Sequence, residues 1–163
     1  MSLFHKKRKI SDLLVFIIAI IIPQMAGFLG SLYTTPNIKT WYAFVNKPSF
    51  NPPNWIFGPV WTILFILMGV ASYIIYKEKN KLRIEALKIY TSQLILNTMW
   101  SIIFFGARNP LGAFILIIAL WILIAYNMLY FYKIKKIAGY LFIPYLLWVS
   151  FAMVLNFAIY ILN

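Results

Sequence analysis

The segment Trp41-Tyr42-Ala43-Phe44-Val45-Asn46-Lys47-Pro48-Ser49-Phe50-Asn51-Pro52-Pro53-Asn54-Trp55-Ile56-Phe57-Gly58-Pro59-Val60-Trp61-Thr62 decides how this chain is read. It places three tryptophans and four prolines between two long apolar runs. An interior proline removes a helical hydrogen bond and clashes with the preceding turn, so this stretch is not a membrane span. It is also too aromatic for a flexible linker. Its composition predicts a rigid, proline-braced lid beside membrane helices, over a cavity suited to something flat and apolar.

Outward from that segment, hydrophobic residues make up 63% of the 163-residue chain and charged residues only 11%. A soluble domain carries about 25% charged residues, so the composition is that of a membrane protein. Apolar runs of roughly 20 residues, the length that crosses a bilayer, recur along the chain. They predict an all-α integral membrane protein, a bundle of five transmembrane helices with a structured loop between the first two. The expected spans are 11–33, 55–76, 86–106, 111–132 and 138–161, forming a single domain over 1–163. The first run is too long for a signal-peptide core and lacks a small-x-small cleavage site, so a retained span is expected.

The net charge of +12 does not point to nucleic acid, because of where the charges lie. Lys6, Lys7, Arg8 and Lys9 precede the first span. Lys77, Lys79, Lys81, Arg83 and Lys88 follow the second, and Lys133, Lys135 and Lys136 follow the fourth. These are alternate connections, so the positive-inside rule puts the N-terminus in the cytoplasm and the lid and C-terminus outside. The short connections at 107–110 and 133–137 make their flanking helices antiparallel neighbours. The lid, about residues 34–54, is long enough to be functional.

Helical spacing sorts the polar and aromatic residues into stripes. Trp61, Phe65, Met68 and Ser72 share a face of span two. Gln93, Asn97, Trp100 and Phe104 share one of span three, and Pro144, Trp148, Phe151, Ala152 and Leu155 one of span five. From the helical rise, Trp61 and Trp100 lie roughly 9 Å below the outer ends of their spans and Asn97 roughly 13 Å. Trp148 falls near the midplane. The stripes therefore meet in the outer half of the bundle, beneath the lid. Trp41 and Trp55 read as interfacial anchors. Gln93, Asn97, Asn127 and Asn156 can serve as hydrogen bonds between helices, and Asn97 also neighbours the pocket candidates. Gly58-Pro59 suits the first turn of span two. Pro144 is expected to bend span five and Pro23 to kink span one, where Ala26 and Gly30 form a small-xxx-small pair.

The acids Asp12, Glu78 and Glu85 lie outside or at the edge of the spans, which argues against a proton-coupled exporter. With no cysteine, and with the sole histidine, His5, in the basic tail, no metal site is expected. No nucleophile–base pair is present. A ligand is then held by stacking, shape and a few hydrogen bonds.

Trp41-Tyr42, Lys47-Pro48-Ser49-Phe50-x-Pro52-Pro53-x-Trp55-x-Phe57-Gly58-Pro59-Val60-Trp61-Thr62 and Met68-Gly69 together resemble the signature of the TspO/MBR family, the tryptophan-rich sensory proteins related to the mitochondrial translocator protein (peripheral benzodiazepine receptor). Gln93-Leu94-x-Leu96-Asn97-x-x-Trp100-Ser101 and Pro144-Tyr145-Leu146-x-Trp148 through Phe151-Ala152, with Leu155-Asn156, extend the resemblance over nearly everything after the basic N-terminus. It implies a five-helix bundle, commonly a homodimer, that binds porphyrins such as protoporphyrin IX and haem, and benzodiazepine-type molecules, with no required cofactor. Carried over by motif, the ligand-binding residues are Tyr42, Pro52, Trp61, Asn97, Trp100, Trp148, Phe151 and Ala152. Sensor, carrier or regulator of porphyrin level is the implied role. A light-dependent protoporphyrin-degrading enzyme, with Trp61 and Trp148 as its catalytic residues, and a transporter are the alternatives. The basic residue that ends the cholesterol motif of animal members has no counterpart in Tyr160-Ile161-Leu162-Asn163, so sterol binding by that motif is not expected.

Overall fold

A computed structural model describes the backbone of residues 2–163 and the side chains from Ser11 onward. The His5 side chain and the basic cluster Lys6 to Lys9 fall outside those described side chains. In chain order the helices are α1 (Ser2–Ile38), α2 (Trp41–Phe44), α3 (Asn54–Lys77), α4 (Arg83–Ser101), α5 (Pro110–Ile134), α6 (Lys136–Tyr140) and α7 (Ile143–Leu162). A π-helical turn, Ile102–Gly106, extends α4. No strand occurs among the described residues.

Among the described residues, four segments are long and apolar enough to cross a membrane: Ser11–Ile38, Asn54–Lys77, Pro110–Ile134 and Lys136–Leu162. The fifth long helix, α4, does not qualify on composition. Arg83, Glu85 and Lys88 occupy its first turns, and Thr91, Ser92, Gln93, Asn97 and Thr98 interrupt its apolar run. Those amides face inward: Gln93 and Asn97 are buried against the other helices. Helix α4 packs on both α1 and α5, and α1 runs along α3.

Helix α3 matches its expected span of 55–76 to within one residue, whereas the end of α1 and the start of the last span differ from the sequence expectation. Helix α1 does not stop at residue 33 but continues through Pro36 to Ile38. Its last turns are supported by side chains that donate to carbonyls four residues back: Thr34 to Gly30, Asn37 to Tyr33 and Thr40 to Pro36. The lid is correspondingly shorter and holds the one-turn α2. Helix α3 begins at Asn54, so Pro59 lies inside it rather than in the expected first turn. The carbonyl that its missing N–H would have met belongs to Trp55, at the helix's exposed beginning. The last expected span is broken into α6 and α7, and Pro144 sits at the start of α7, where its N–H is not needed. The expected bend at Pro144 is therefore replaced by the break before it. Pro144 is exposed and does not share the inward face of Trp148.

Glycines set how closely α1 approaches its neighbours. A Cβ on Gly69 of α3 would lie 2.7 Å from the Ala19 carbonyl oxygen and 2.8 Å from Ile20 Cα, so the two backbones nearly touch there. Gly30 meets Ser101 of α4, and Thr98 Oγ1 donates to the Ala26 carbonyl at 3.1 Å. The Ala26–Gly30 pair thus faces α4, while Gly27 is the close approach to α3, beneath the Phe65 ring. At the opposite end of the bundle, Lys77–Asp12 (2.6 Å) and Lys135–Glu78 (3.1 Å) tie together the connections that carry most of the positive charge.

Candidate functional site

Under the lid lies a cavity of about 550 Å³. That is within the roughly 300–1,000 Å³ typical of small-molecule pockets. Helix α3 contributes Trp61 and Phe65, α4 Asn97 and Trp100, α7 Trp148 and Ala152, and the lid Tyr42. Of the eight residues singled out from sequence, Tyr42, Trp61, Asn97, Trp100, Trp148 and Ala152 line the cavity. Pro52 and Phe151 do not. Pro52 braces the lid, accepting a hydrogen bond from Asn51 Nδ2 at 2.9 Å. Phe151 packs edge-on against Phe50 of the lid at 6.3 Å.

The ring geometry follows from the stripes. Trp61 stacks on Phe65 with centroids 5.4 Å apart and meets Tyr145 edge-on. Trp100 stacks on Phe104 at 5.0 Å, a pairing that the π-helical turn completes by turning Phe104 and Phe105 inward together. Trp148 meets Phe57 edge-on and tilts against Phe151. Such offset and edge arrangements suit aromatic quadrupoles and hold each ring in one orientation.

Polar groups beneath and beside the rings are mostly committed. Tyr145 Oη donates to Gln93 Oε1 at 2.8 Å and accepts from Asn97 Nδ2 at 3.0 Å. Trp100 Nε1 donates to Asn156 Oδ1 at 3.0 Å, and Asn156 Nδ2 donates to the Pro110 carbonyl, securing α7 to the start of α5. Asn127 Nδ2 reaches the Ala86 carbonyl at 3.0 Å. Gln93, Asn97, Asn127 and Asn156 therefore do bridge helices, and Asn97 both bridges and lines the cavity. Trp148 Nε1 is the exception in the cavity wall: it is buried and has no acceptor among the described residues.

The roof is built from the lid itself. Tyr42 packs on Phe104 and Phe105, and its hydroxyl donates to Asn51 Oδ1 at 3.0 Å. Burial pushes the Tyr42 phenol up to about 12, so it remains a neutral donor well above neutral pH. Lys47 Nζ lies 4.7 Å from the Tyr42 ring centroid. Trp41, read from sequence as an interfacial anchor, instead packs edge-on against Phe104 at 5.5 Å. Trp55 is 73% exposed, as an anchor would be, yet also forms the rim of the cavity.

The sequence reading missed the α1 wall altogether. Gln24, Gly27, Gly30, Ser31 and Thr34 line the cavity. These residues are small or weakly polar and carry no aromatic stripe; the only available signal was the small-xxx-small spacing of Ala26 and Gly30. Phe57, Phe105 and Asn156 were also missed as wall residues.

The family model for TspO/MBR matches residues 19–162. The chain is 45% identical over 154 residues to the tryptophan-rich protein TspO of Archaeoglobus fulgidus, covering 93% of this chain and 99% of that one. Against the translocator protein of Homo sapiens the identity is 36% over 141 residues, covering 85% and 83%. Against the tryptophan-rich sensory protein of Cereibacter sphaeroides it is 37% over 123 residues, covering 76% and 77%.

Proposed function

The chain belongs to the TspO/MBR family, as a multi-pass membrane protein, and on that premise we propose that it binds a tetrapyrrole such as protoporphyrin IX or haem in the cavity beneath the lid. It then acts as a sensor, carrier or regulator of porphyrin level. The observation that carries this reading is the convergence of Trp61, Trp100 and Trp148, from three different helices, on one cavity of about 550 Å³. A flat macrocycle suits such a wall: it stacks on the three indoles, and Asn97 and Tyr42 lie where its polar edge can be oriented. Tyr42, Asn97 and Ala152 complete the wall, with Pro52 and Phe151 supporting the lid above it. Benzodiazepine-type molecules, flat and carrying a carbonyl, meet the same requirements.

Several further features belong to this proposal. Helix α4 with its π-helical extension is the fifth span, with Gln93 and Asn97 turned inward and the exposed Ile95 and Met99 turned to lipid, so that 1–163 forms one five-helix domain. The charged connections face the cytoplasm, and the lid and Asn163 face outward. The protein pairs as a homodimer.

The test is a fluorescence-quenching titration of purified protein with protoporphyrin IX. Trp148→Ala is expected to weaken binding by about tenfold or more, roughly 1.4 kcal/mol. Trp148→Phe keeps a smaller ring for stacking and should fall between. Equal affinity in parent and Trp148→Ala would remove the assignment.

A further inference from the structure

The cavity is closed above and open at the side. Above, the lid is fastened to α7 by an amide clasp: the Asn46 backbone N–H donates to Asn163 Oδ1 at 2.9 Å, and Asn163 Nδ2 returns a hydrogen bond to the Asn46 carbonyl at 3.0 Å. Asn46 Nδ2 adds a third bond, to the Leu162 carbonyl. The Tyr42–Asn51 hydrogen bond and the Phe50–Phe151 contact hold the rest of the roof. An opening from water would have to break this clasp and lift the buried Tyr42 off Phe104 and Phe105.

The side wall between α1 and α3 behaves differently along its length. Deep in the bundle, Gly69 against Ala19 and Ile20, and Gly27 against Phe65, leave no room for one additional carbon. Gln24 Nε2 adds a hydrogen bond across the seam to the Thr62 carbonyl at 3.1 Å. Toward the lid there is open space instead: a Cβ built on Gly58 of α3, a cavity-lining residue, meets nothing within 4 Å. Residues lining the cavity on this side are themselves exposed, with Phe28 at 64% and Trp55 at 73%, and with Thr35, Gly58 and Thr62 open as well. All belong to segments apolar enough to lie in hydrocarbon, and Leu29, Leu32 and Ile63 beside them are exposed too.

From these two facts we propose that the outer half of the α1–α3 seam is a lateral portal, through which a flat amphiphile already dissolved in the bilayer passes into the cavity without the lid opening. The inference rests on the tetrapyrrole reading for the choice of ligand. Physically, such a molecule gains little by re-entering water, and its apolar face slides between Phe28 and Trp55 while the roof stays shut. Gly58 is the position that keeps the slot open.

The experiment is stopped-flow tryptophan quenching by protoporphyrin IX with the protein in lipid nanodiscs. A gate variant changes the barrier, so both rate constants must shift in the same direction. Gly58→Trp is expected to slow association and dissociation, each by about fivefold or more. The clasp double variant Asn46→Ala with Asn163→Ala is expected to leave both rates unchanged. Should Gly58→Trp fail to fold, Phe28→Ala widens the slot and must accelerate both rates. The proposal is overturned if loosening the clasp speeds association while the slot variants do nothing. If the parent protein shows no quenching at all, it is the ligand reading that fails. The portal is then tested with a membrane-partitioned apolar fluorophore on the same variants, against the same criteria.

Discussion

Removing the Tyr145 hydroxyl tests whether the buried amide network holds α4 to α7. Tyr145 is almost fully buried, and its single oxygen serves two partners, Gln93 Oε1 and Asn97 Nδ2. Tyr145→Phe keeps the ring contacts with Trp61 and Phe142 but deletes both bonds at once. In a water-referenced interior each orphaned group costs about 1–3 kcal/mol. Between membrane helices the measured mean is nearer 0.6 kcal/mol and the maximum about 1.7, because the dissociated helices find other partners. Two such bonds give an expected loss of about 1–3 kcal/mol, toward the lower end. Gln93 retains only its long contact with Met68 Sδ at 3.7 Å, which does not satisfy Oε1. The assay is reversible denaturation in mixed micelles, followed by tryptophan fluorescence. Adding Gln93→Leu to Tyr145→Phe should cost less than the sum of the two single changes, since a network stripped of both partners leaves fewer orphans. A single-variant loss below about 0.3 kcal/mol, or strict additivity in the double variant, would refute the idea that this network is a shared structural element.

Gly69→Ala should drive α1 away from α3, because the atoms its methyl meets are backbone at 2.7 and 2.8 Å and cannot rotate aside. The expected cost is about 1–3 kcal/mol in the same denaturation assay, and an unchanged midpoint would contradict the close packing. For the lid, the folded state holds the Tyr42 proton more tightly than the unfolded chain, since burial raises the phenol from its ordinary value of 10.0 to about 12. That contribution to stability is complete below about pH 10 and declines as pH rises toward about 12. The tyrosinate absorbance of the parent minus that of Tyr42→Phe should show one phenol titrating near 12, and titration near its ordinary value would mean that the lid leaves Tyr42 wet.

Much of the site was legible because helical periodicity is local. Asn97, Trp100 and Phe104 share a face on any helix that contains them, and that face is buried or half-buried here. The same holds for Trp61, Phe65 and Met68. Proline was less readable. Its missing N–H forbids a mid-helix hydrogen bond but does not say where the helix begins: Pro59 and Pro144 each lie at a different place in a turn than the sequence suggested, and α1 runs on through Pro36. Pro52 and Phe151 share the motif and the neighbourhood of the cavity residues, yet they act on the lid rather than on the cavity wall.

The sequence by itself determined that apolar helices cross a membrane, that a proline-rich aromatic segment separates the first two long ones, and that indoles from three helices face inward. Composition and periodicity suffice for that, because both are properties of single segments. The tertiary structure alone decided that Gly27, Gly30 and Thr34 of α1 form a wall of the cavity, that Asn46 and Asn163 clasp each other across 117 positions, and that α1 and α3 touch at Gly69 while Gly58 faces open space. Such contacts depend on how close two backbones come, which small residues permit but do not announce.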